Sequence, residues 1–464
     1  MRSVGGKFVG ALFGTNGIRG LANIDLTPEF TVKVGTAIGT FFDGGEVVVG
    51  SDARCTSSML LSAMISGLAS AGCKVYNAGV APTPTIQYTV KERMVDGGVI
   101  ITASHNPPEY NGIKVLAGDG VEVSRKEEKA IEEIFFDQGF RRARWDQVKE
   151  PSILEGVIED YLAGVTRHIE VEAVREKRFK VVVDPANGVG SLTLSTFLHR
   201  LGCKVYVINA ELDGRFPSRP PEPRPENLGE LARTVKALKA DLGVALDGDA
   251  DRAIFVDETG KIHWGDKTFA LIAKFFLMKN PNSTIVTPVS SSSIIREVVN
   301  KYDGSLVFTK VGSVEVSHKM KELNATLGGE ENGGVFYAPH IPVRDGTMTT
   351  GLILNIMAES GKSLSELLSE LPAYFIKKSN VKCPNELKGK VMERVIKEFE
   401  GLPKETVDGV KVFFSNGSAV LIRPSGTEPA IRIYAEAKSE GEVDILTQRY
   451  TNFLEKVIKE IREV

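Results

Sequence analysis

At 464 residues the chain is too long for one ordinary hydrophobic core and suggests roughly three or four domains. A hydrophobic fraction of 42% beside 25% charged residues excludes a disordered or fibrous chain. A formal charge of −3 and a pI near 6.2 give no overall reason to bind nucleic acid or an acidic membrane surface, so any anion site must be local.

The opening stretch, MRSVGGKFVGALFG, has neither a long apolar core nor a cleavage site, and no later segment reaches about 18 uninterrupted apolar residues. Cys55, Cys73, Cys203 and Cys383 lie far apart without a CxxC pair, which argues against a zinc ribbon or a disulfide framework. An untargeted cytoplasmic protein is expected. The six histidines form no HExxH pair.

Short β-branched runs alternate with longer amphipathic stretches, the pattern of a largely parallel α/β sheet. Val47-Val48-Val49 leads through an apolar-periodic stretch at 59–71 to Gly72-Cys73-Lys74-Val75-Tyr76. Val181-Val182-Val183 leads through 192–201 to Gly202-Cys203-Lys204-Val205-Tyr206, nearly the same words. A weaker third copy runs from Ile285-Val286-Thr287 through 294–299 to Leu306-Val307-Phe308. Each copy is followed by one more apolar run and a polar loop: 98–101 before Thr102-Ala103-Ser104-His105-Asn106, 242–246 before Asp247, and 325–327 before Glu330. Such loops fall at the carboxyl ends of parallel strands, where open α/β sheets place ligands. From about Pro372 the pattern changes to a strand, a helix at 387–399, strands near 410–414, 419–422 and 431–435, and a closing helix at 443–462. The expected fold class is therefore α/β, with three related domains of mixed, largely parallel sheets at 1–150, 151–256 and 257–371, and an α+β domain at 372–464.

Ser104 sits on a loop with Pro107 and Pro108 just behind it. The GxSxG elbow of a hydrolase nucleophile is missing, and taken alone the serine is as consistent with capping a turn as with chemistry. Asp247-Gly248-Asp249-Ala250-Asp251-Arg252 places three carboxylates at alternate positions, which lets hard oxygen ligands converge on one divalent cation such as Mg²⁺ or Ca²⁺. An EF-hand is excluded: Glu258 falls at the twelfth position, but Arg252 stands at the sixth, where the turn needs glycine. Three carboxylates leave a cation under-coordinated, so a further ligand from substrate or from a phosphorylated residue is expected. Arg423, Ser425, Thr427 and the backbone around Gly426 offer a planar fork and neutral donors for a phosphate, and Arg432 lies one strand further on.

These loops together resemble the α-D-phosphohexomutase superfamily. The motifs are Phe13-Gly14-Thr15-Asn16-Gly17-Ile18-Arg19-Gly20, Thr102-Ala103-Ser104-His105-Asn106-Pro107 with Asn111-Gly112-Ile113-Lys114, the Asp247–251 loop, Gly329-Glu330-Glu331-Asn332-Gly333-Gly334 and Arg423-Pro424-Ser425-Gly426-Thr427-Glu428-Pro429. The resemblance covers essentially the whole chain and implies four domains around a central cleft, one signature loop from each. It matches Ser104 to a phosphoserine and Asp247, Asp249 and Asp251 to Mg²⁺ ligands, with a Ser104 phosphate oxygen as fourth ligand. Glu330 and Asn332 match the loop that reads sugar hydroxyls. Arg423, Ser425, Gly426 and Thr427 match the loop that holds the non-reacting phosphate, and Thr309 and Gly312 match a further substrate-side loop.

On this resemblance, phospho-Ser104 donates its phosphoryl group to a hexose monophosphate and regains one from the bisphosphate, with a hexose 1,6-bisphosphate as activator. Lys114, with a lowered pKa, is the expected proton shuttle. His105 is expected to contact the phosphoryl group, share the proton work or brace the loop; Arg252 to contact the phosphoserine or close its own loop by a salt bridge; and Arg19 to orient the phosphoserine side. The Phe13–Gly20 and Ser425–Pro429 words look like phosphoglucosamine mutases, whereas Asn106-Pro107-Pro108-Glu109-Tyr110-Asn111-Gly112 looks like phosphomannomutase/phosphoglucomutase enzymes. Asn332 and Gly334 stand where serine and histidine are usual. Glucosamine phosphate is the expected substrate and glucose or mannose phosphate the alternative; a sugar-phosphate phosphatase and a non-catalytic sensor are the rival classes.

Overall fold

Valine runs form the central strands, and Val47, Val48, Val49, Val181, Val182 and Val183 are all fully buried, as strands covered on both faces require. The computed structural model describes residues 11–426 and 428–462, together with the backbone of Ser3–Val4 and Lys7–Phe8. Residues 1–268 and 332–367 form one compact unit, and residues 269–331 and 368–464 a second.

In the first unit a six-stranded sheet has the order Ile18–Leu21, Tyr110–Ala117, Gly97–Ile101, Glu46–Ser51, Lys74–Val80, Ser152–Ile153. Gly97–Ile101, Glu46–Ser51 and Lys74–Val80 run parallel, while Tyr110–Ala117 returns antiparallel and sets Lys114 opposite Ile100. Helix Pro28–Phe41 starts where Thr27 accepts from the Phe30 N–H and proline takes the first position. Helix Arg125–Asp137 starts with a full capping box between Ser124 and Glu127. The second sheet repeats the arrangement, with Lys204–Val207, Lys180–Asp184 and Leu242–Leu246 parallel. Leu242–Leu246 then turns back antiparallel onto Ala253–Asp257 with Leu246 opposite Ala253, so residues 247–252 are a hairpin loop rather than part of a helix–loop–helix. The helix read at 192–201 is broken: a 3₁₀ turn at Val189–Leu192 is followed by helix Leu194–Arg200, because Thr193 leaves the helical backbone at φ −120°. Strands Val335–Tyr337 and Ile341–Arg344 form an antiparallel pair before helix Gly346–Ser360, whose first turn Asp345 caps.

In the second unit the third copy appears as parallel strands Ser305–Thr309, Thr284–Pro288 and Leu327–Gly329, with helix Ser293–Lys301 capped by Ser292. The last of these strands starts at the end of the run read as 325–327, since Ala325 still closes the preceding helix through its N–H to the Met320 carbonyl. The final sheet is antiparallel throughout, in the order Phe375–Lys382, Ala430–Ala437, Ala419–Pro424, Val410–Phe413, Lys404–Glu405. Its inward valines and isoleucines pack with Val391 and Val395 of helix Lys388–Glu398 and Tyr450, Leu454 and Val457 of helix Glu440–Arg462. The closing helix begins three residues before the sequence reading because Ser439 accepts from the Glu442 N–H and Glu440 and Glu442 fill its first turn. The chain thus carries α/β domains with mixed sheets, the last sheet wholly antiparallel.

Candidate functional site

The loop after strand Gly97–Ile101 carries Ser104 in a left-handed backbone conformation, φ +50°, that a residue with a β-carbon holds only when its surroundings enforce it. The enforcing group is buried Arg54, which stands in none of the motifs named above. Its Nη1 donates to the carbonyls of Pro107 (2.6 Å) and Tyr110 (2.9 Å), and its Nη2 to those of Ser104 (2.9 Å) and Asn106 (2.6 Å). Its Nε pairs with Asp52 at 3.0 Å, and Asp52 also accepts from Ser57 and Thr102, each at 2.7 Å. The ring of Phe216 covers the guanidinium at 5.1 Å. A signal for this brace was present: Asp52 and Arg54 stand two apart at the carboxyl end of a valine strand, where side chains face ligand loops.

The two polar loops meet inside the first unit. Ser104 Oγ donates to Asp247 Oδ2 at 2.9 Å, and Thr83 donates to Asp249 through both its hydroxyl (2.7 Å) and its N–H (3.0 Å). Gly248 is glycine because a β-carbon there would stand 2.6 Å from the Ser104 carbonyl oxygen. Asp247, Asp249 and Asp251 are all buried and offer carboxylate oxygens within 4.8 Å of one another. Burial and the neighbouring charge of Asp251 push the Asp247 carboxyl up to about 8. Burial acts in the same direction on Asp249, but Lys114 and the Thr83 hydroxyl hold it below the ordinary carboxylate range. Asp249 Oδ1 and Asp251 Oδ1 are buried without a hydrogen-bond partner. Asp251 Oδ1 has the Arg252 Nε beside it at 3.6 Å, and buried carboxylate oxygens without hydrogen bonds in an oxygen-only donor set fit a divalent cation.

Cations ring the carboxylates. Lys114 Nζ lies 3.4 Å from Asp249, 3.5 Å from Asp251 and 3.6 Å from Glu122. Burial disfavours its charge, but those three carboxylates outweigh burial and raise its pKa, opposite to the depression expected from the sequence. Arg252 donates to Asp247 through Nε at 3.1 Å and lies 3.0 Å from it through Nη2, so it closes its own loop by a salt bridge. Arg344, another residue the sequence reading missed, pairs with Asp251 at 2.5 Å. Arg19 Nη1 donates to Asn106 Oδ1 at 2.6 Å, leaving its Nε and Nη2 buried without partners. His105 Nδ1 lies 3.4 Å from Ser104 Oγ, and burial, with Arg252, Arg19 and Arg344 nearby, drives its pKa far down, so the ring is neutral. Ser104, Lys114, Arg252 and the three aspartates thus share one buried polar cluster, with the half-buried Arg19 and His105 beside it.

The second unit brings together other residues singled out in the sequence. Arg423 Nη2 pairs with Asp408 at 2.7 Å, and Asp408 also accepts from the N–H of Val311, between Thr309 and Gly312. Ser425 is buried, and its Oγ accepts from the Glu428 N–H at 3.2 Å. Lys388 Nζ donates to the carbonyls of Ser425 and Glu428, each at 2.6 Å, tying the two sides of that loop. Gly426 faces open space, and Thr427 lies outside the described residues. Arg432 pairs with Glu428 at 3.1 Å and braces the loop. Glu330 is buried in this unit. Asn332, in the first unit, accepts from the Gly334 N–H at 3.2 Å, which shapes its own turn.

Four family descriptions match the chain in order: phosphoglucomutase/phosphomannomutase alpha/beta/alpha domain I at residues 10–142, domain II at 159–260, domain III at 264–375, and the C-terminal domain at 379–451. A phosphoglucomutase/phosphomannomutase of Thermococcus kodakarensis is 46% identical, the match covering 97% of this chain and 100% of the relative. A phosphoglucosamine/phosphogalactosamine mutase of Sulfurisphaera tokodaii is 44% identical, with 97% and 100% covered. Among solved structures, a phosphoglucomutase/phosphomannomutase family protein of Burkholderia thailandensis superposes with a TM-score of 0.86 at 27% identity, covering 96% of this chain and 97% of that one.

Proposed function

The chain belongs to the phosphoglucomutase/phosphomannomutase family of intramolecular phosphotransferases, and on that premise we propose that it interconverts hexose 6-phosphates and hexose 1-phosphates through phosphorylated Ser104. The observation that carries this reading is the Ser104 hydroxyl, buried and bonded to the three-aspartate cluster. Asp247, Asp249 and Asp251 would hold Mg²⁺, which when bound supplies positive charge against the equatorial oxygens of the transferring group.

The chain's own groups do the rest. Arg54 fixes the Ser104 loop, so Oγ is placed before substrate arrives. The unpaired N–H groups of Arg19 supply donors for phosphoryl oxygens, and neutral His105 contributes a ring nitrogen beside Oγ. In the first transfer the sugar hydroxyl oxygen forms the new P–O bond while the bond from phosphorus to Ser104 Oγ breaks. One proton passes from that hydroxyl to Oγ. Lys114 carries it, giving an ammonium proton to Oγ and taking the hydroxyl proton in exchange; its raised pKa keeps the donor form available. The second transfer reverses these steps with the other phosphate of the bisphosphate, and added hexose 1,6-bisphosphate would reload an unphosphorylated enzyme.

Thr309, Gly312, Glu330 and Asn332 are assigned to the sugar side, and Arg423, Ser425, Gly426 and Thr427 to the non-reacting phosphate. Arg432 supports the latter through Glu428. Glucosamine phosphate is the preferred substrate in this reading, because Glu330 can pair with a 2-ammonium group, and the hexosamine mutase relative supports it; glucose and mannose phosphates are the alternatives. Intact-mass measurement with and without phosphatase treatment should show one removable phosphate, absent in Ser104→Ala, which should also lose turnover. Retention of phosphate and turnover in that variant would sink the assignment. Rates on glucosamine, glucose and mannose 1-phosphates rank the sugars, and inorganic phosphate release without isomerised sugar would make the protein a phosphatase instead.

A further inference from the structure

Asp408 stands on the turn between strands Lys404–Glu405 and Val410–Phe413, outside every motif picked from the sequence. One of its oxygens, Oδ2, receives both the Arg423 Nη2 contact at 2.7 Å and the Val311 N–H at 3.2 Å. A guanidinium and a backbone N–H converging on one anionic oxygen are the donors that a phosphate oxygen would use. The position is built in: Gly409 has φ +81°, and a β-carbon on it would stand 2.6 Å from Arg423 Cβ, so the turn lies directly on the arginine. The register that sets Val410 opposite Ile422 fixes the same approach. The contact is made through Nη2, and Arg423 Nε stays buried without a hydrogen-bond partner, so the carboxylate does not engage the whole fork. A carboxylate held this way is weaker than a ligand that engages the whole fork.

We propose that Asp408 is an internal competitor for the substrate's non-reacting phosphate, occupying Arg423 and the Val311 N–H until the phosphate displaces it. The inference rests on the assignment of Arg423 to that phosphate. Competition of this kind keeps the arginine oriented in the free protein and weakens the hold on any lone phosphate. It also lowers the barrier to releasing a bisphosphate that must be rebound in the opposite sense.

The test is calorimetric titration of the full-length protein with inorganic phosphate. Asp408→Asn keeps the shape and removes the charge, and should tighten phosphate binding about tenfold, since a like charge beside the site is lost. Asp408→Ser, a second neutral replacement, should move in the same direction, whereas Asp408→Glu should stay near the parent value. Arg423→Gln alone should weaken binding, and in that background Asp408→Asn should change nothing. Unchanged or weaker binding in both neutral variants overturns the proposal. So does a gain that persists without Arg423, which would be a general field effect. If Arg423→Gln by itself leaves phosphate affinity intact, the phosphate assignment has failed, and that arm separates this failure from the other two.

Discussion

Replacing Lys114 with methionine would leave Asp249, Asp251 and Glu122 facing one another in a buried space, so stability should fall along with activity. Lys114→Arg keeps the charge but cannot give up a proton, and therefore separates the two effects. In Lys114→Arg we expect near-parent thermal stability, a phosphate still on Ser104, and kcat lowered about 100-fold or more. A parent-like kcat would remove Lys114 from proton transfer. At this scale the sequence is most legible where spacing is local: the three aspartates at alternate positions point to a cation by themselves, whereas Ser104 drew its expected role only from the family resemblance. Asp52 and Arg54 at the end of a valine strand were the one local signal for the brace; the carbonyls Arg54 holds lie 50 to 56 residues away, so the sequence did not show what it braces. The direction of the Lys114 shift was misjudged for the same reason, since its carboxylates come from residue 122 and from another domain's hairpin.

Among elements, the 247–252 hairpin has a tightly constrained backbone, with Ala250 at φ +61° and Gly248 against the Ser104 carbonyl. Gly248→Ala must push the two loops apart and should lower both stability and turnover. Ser124→Ala, by contrast, removes one half of a capping box and should cost about 1 kcal/mol of stability with turnover unchanged. Thermal melts and steady-state rates on the two variants check the contrast; equal losses of activity would mean that the hairpin has no special relation to the site. Parallel strands were easy to find because runs buried on both faces are continuous in sequence, as at 47–49 and 181–183. Element starts were harder. The closing helix begins at a serine whose capping bond no periodicity reveals.

For the whole molecule, Asp247, Asp249 and Asp251 lie in one compact unit, and Arg423 with Ser425 in the other. Calorimetric unfolding should therefore resolve more than one transition. Mg²⁺ at about 100 times its Kd should stabilise only the unit with the aspartates, by about 2.7 kcal/mol. A single transition, or equal shifts of both, would contradict this division. The family resemblance supplied the four-domain order, but the division into two compact units, each made of two stretches of chain, was not written in any motif. The first unit is also discontinuous, and synthesis on the ribosome meets that discontinuity in order. Ser104 and all three aspartates emerge early, yet Arg344, which pairs with Asp251, and helix Gly346–Ser360 follow only after residues 269–331 have been made. A nascent chain halted after residue 268 would hold the acidic cluster without its Arg344 partner, so the charge that balances Asp251 is supplied only by the second stretch of that unit.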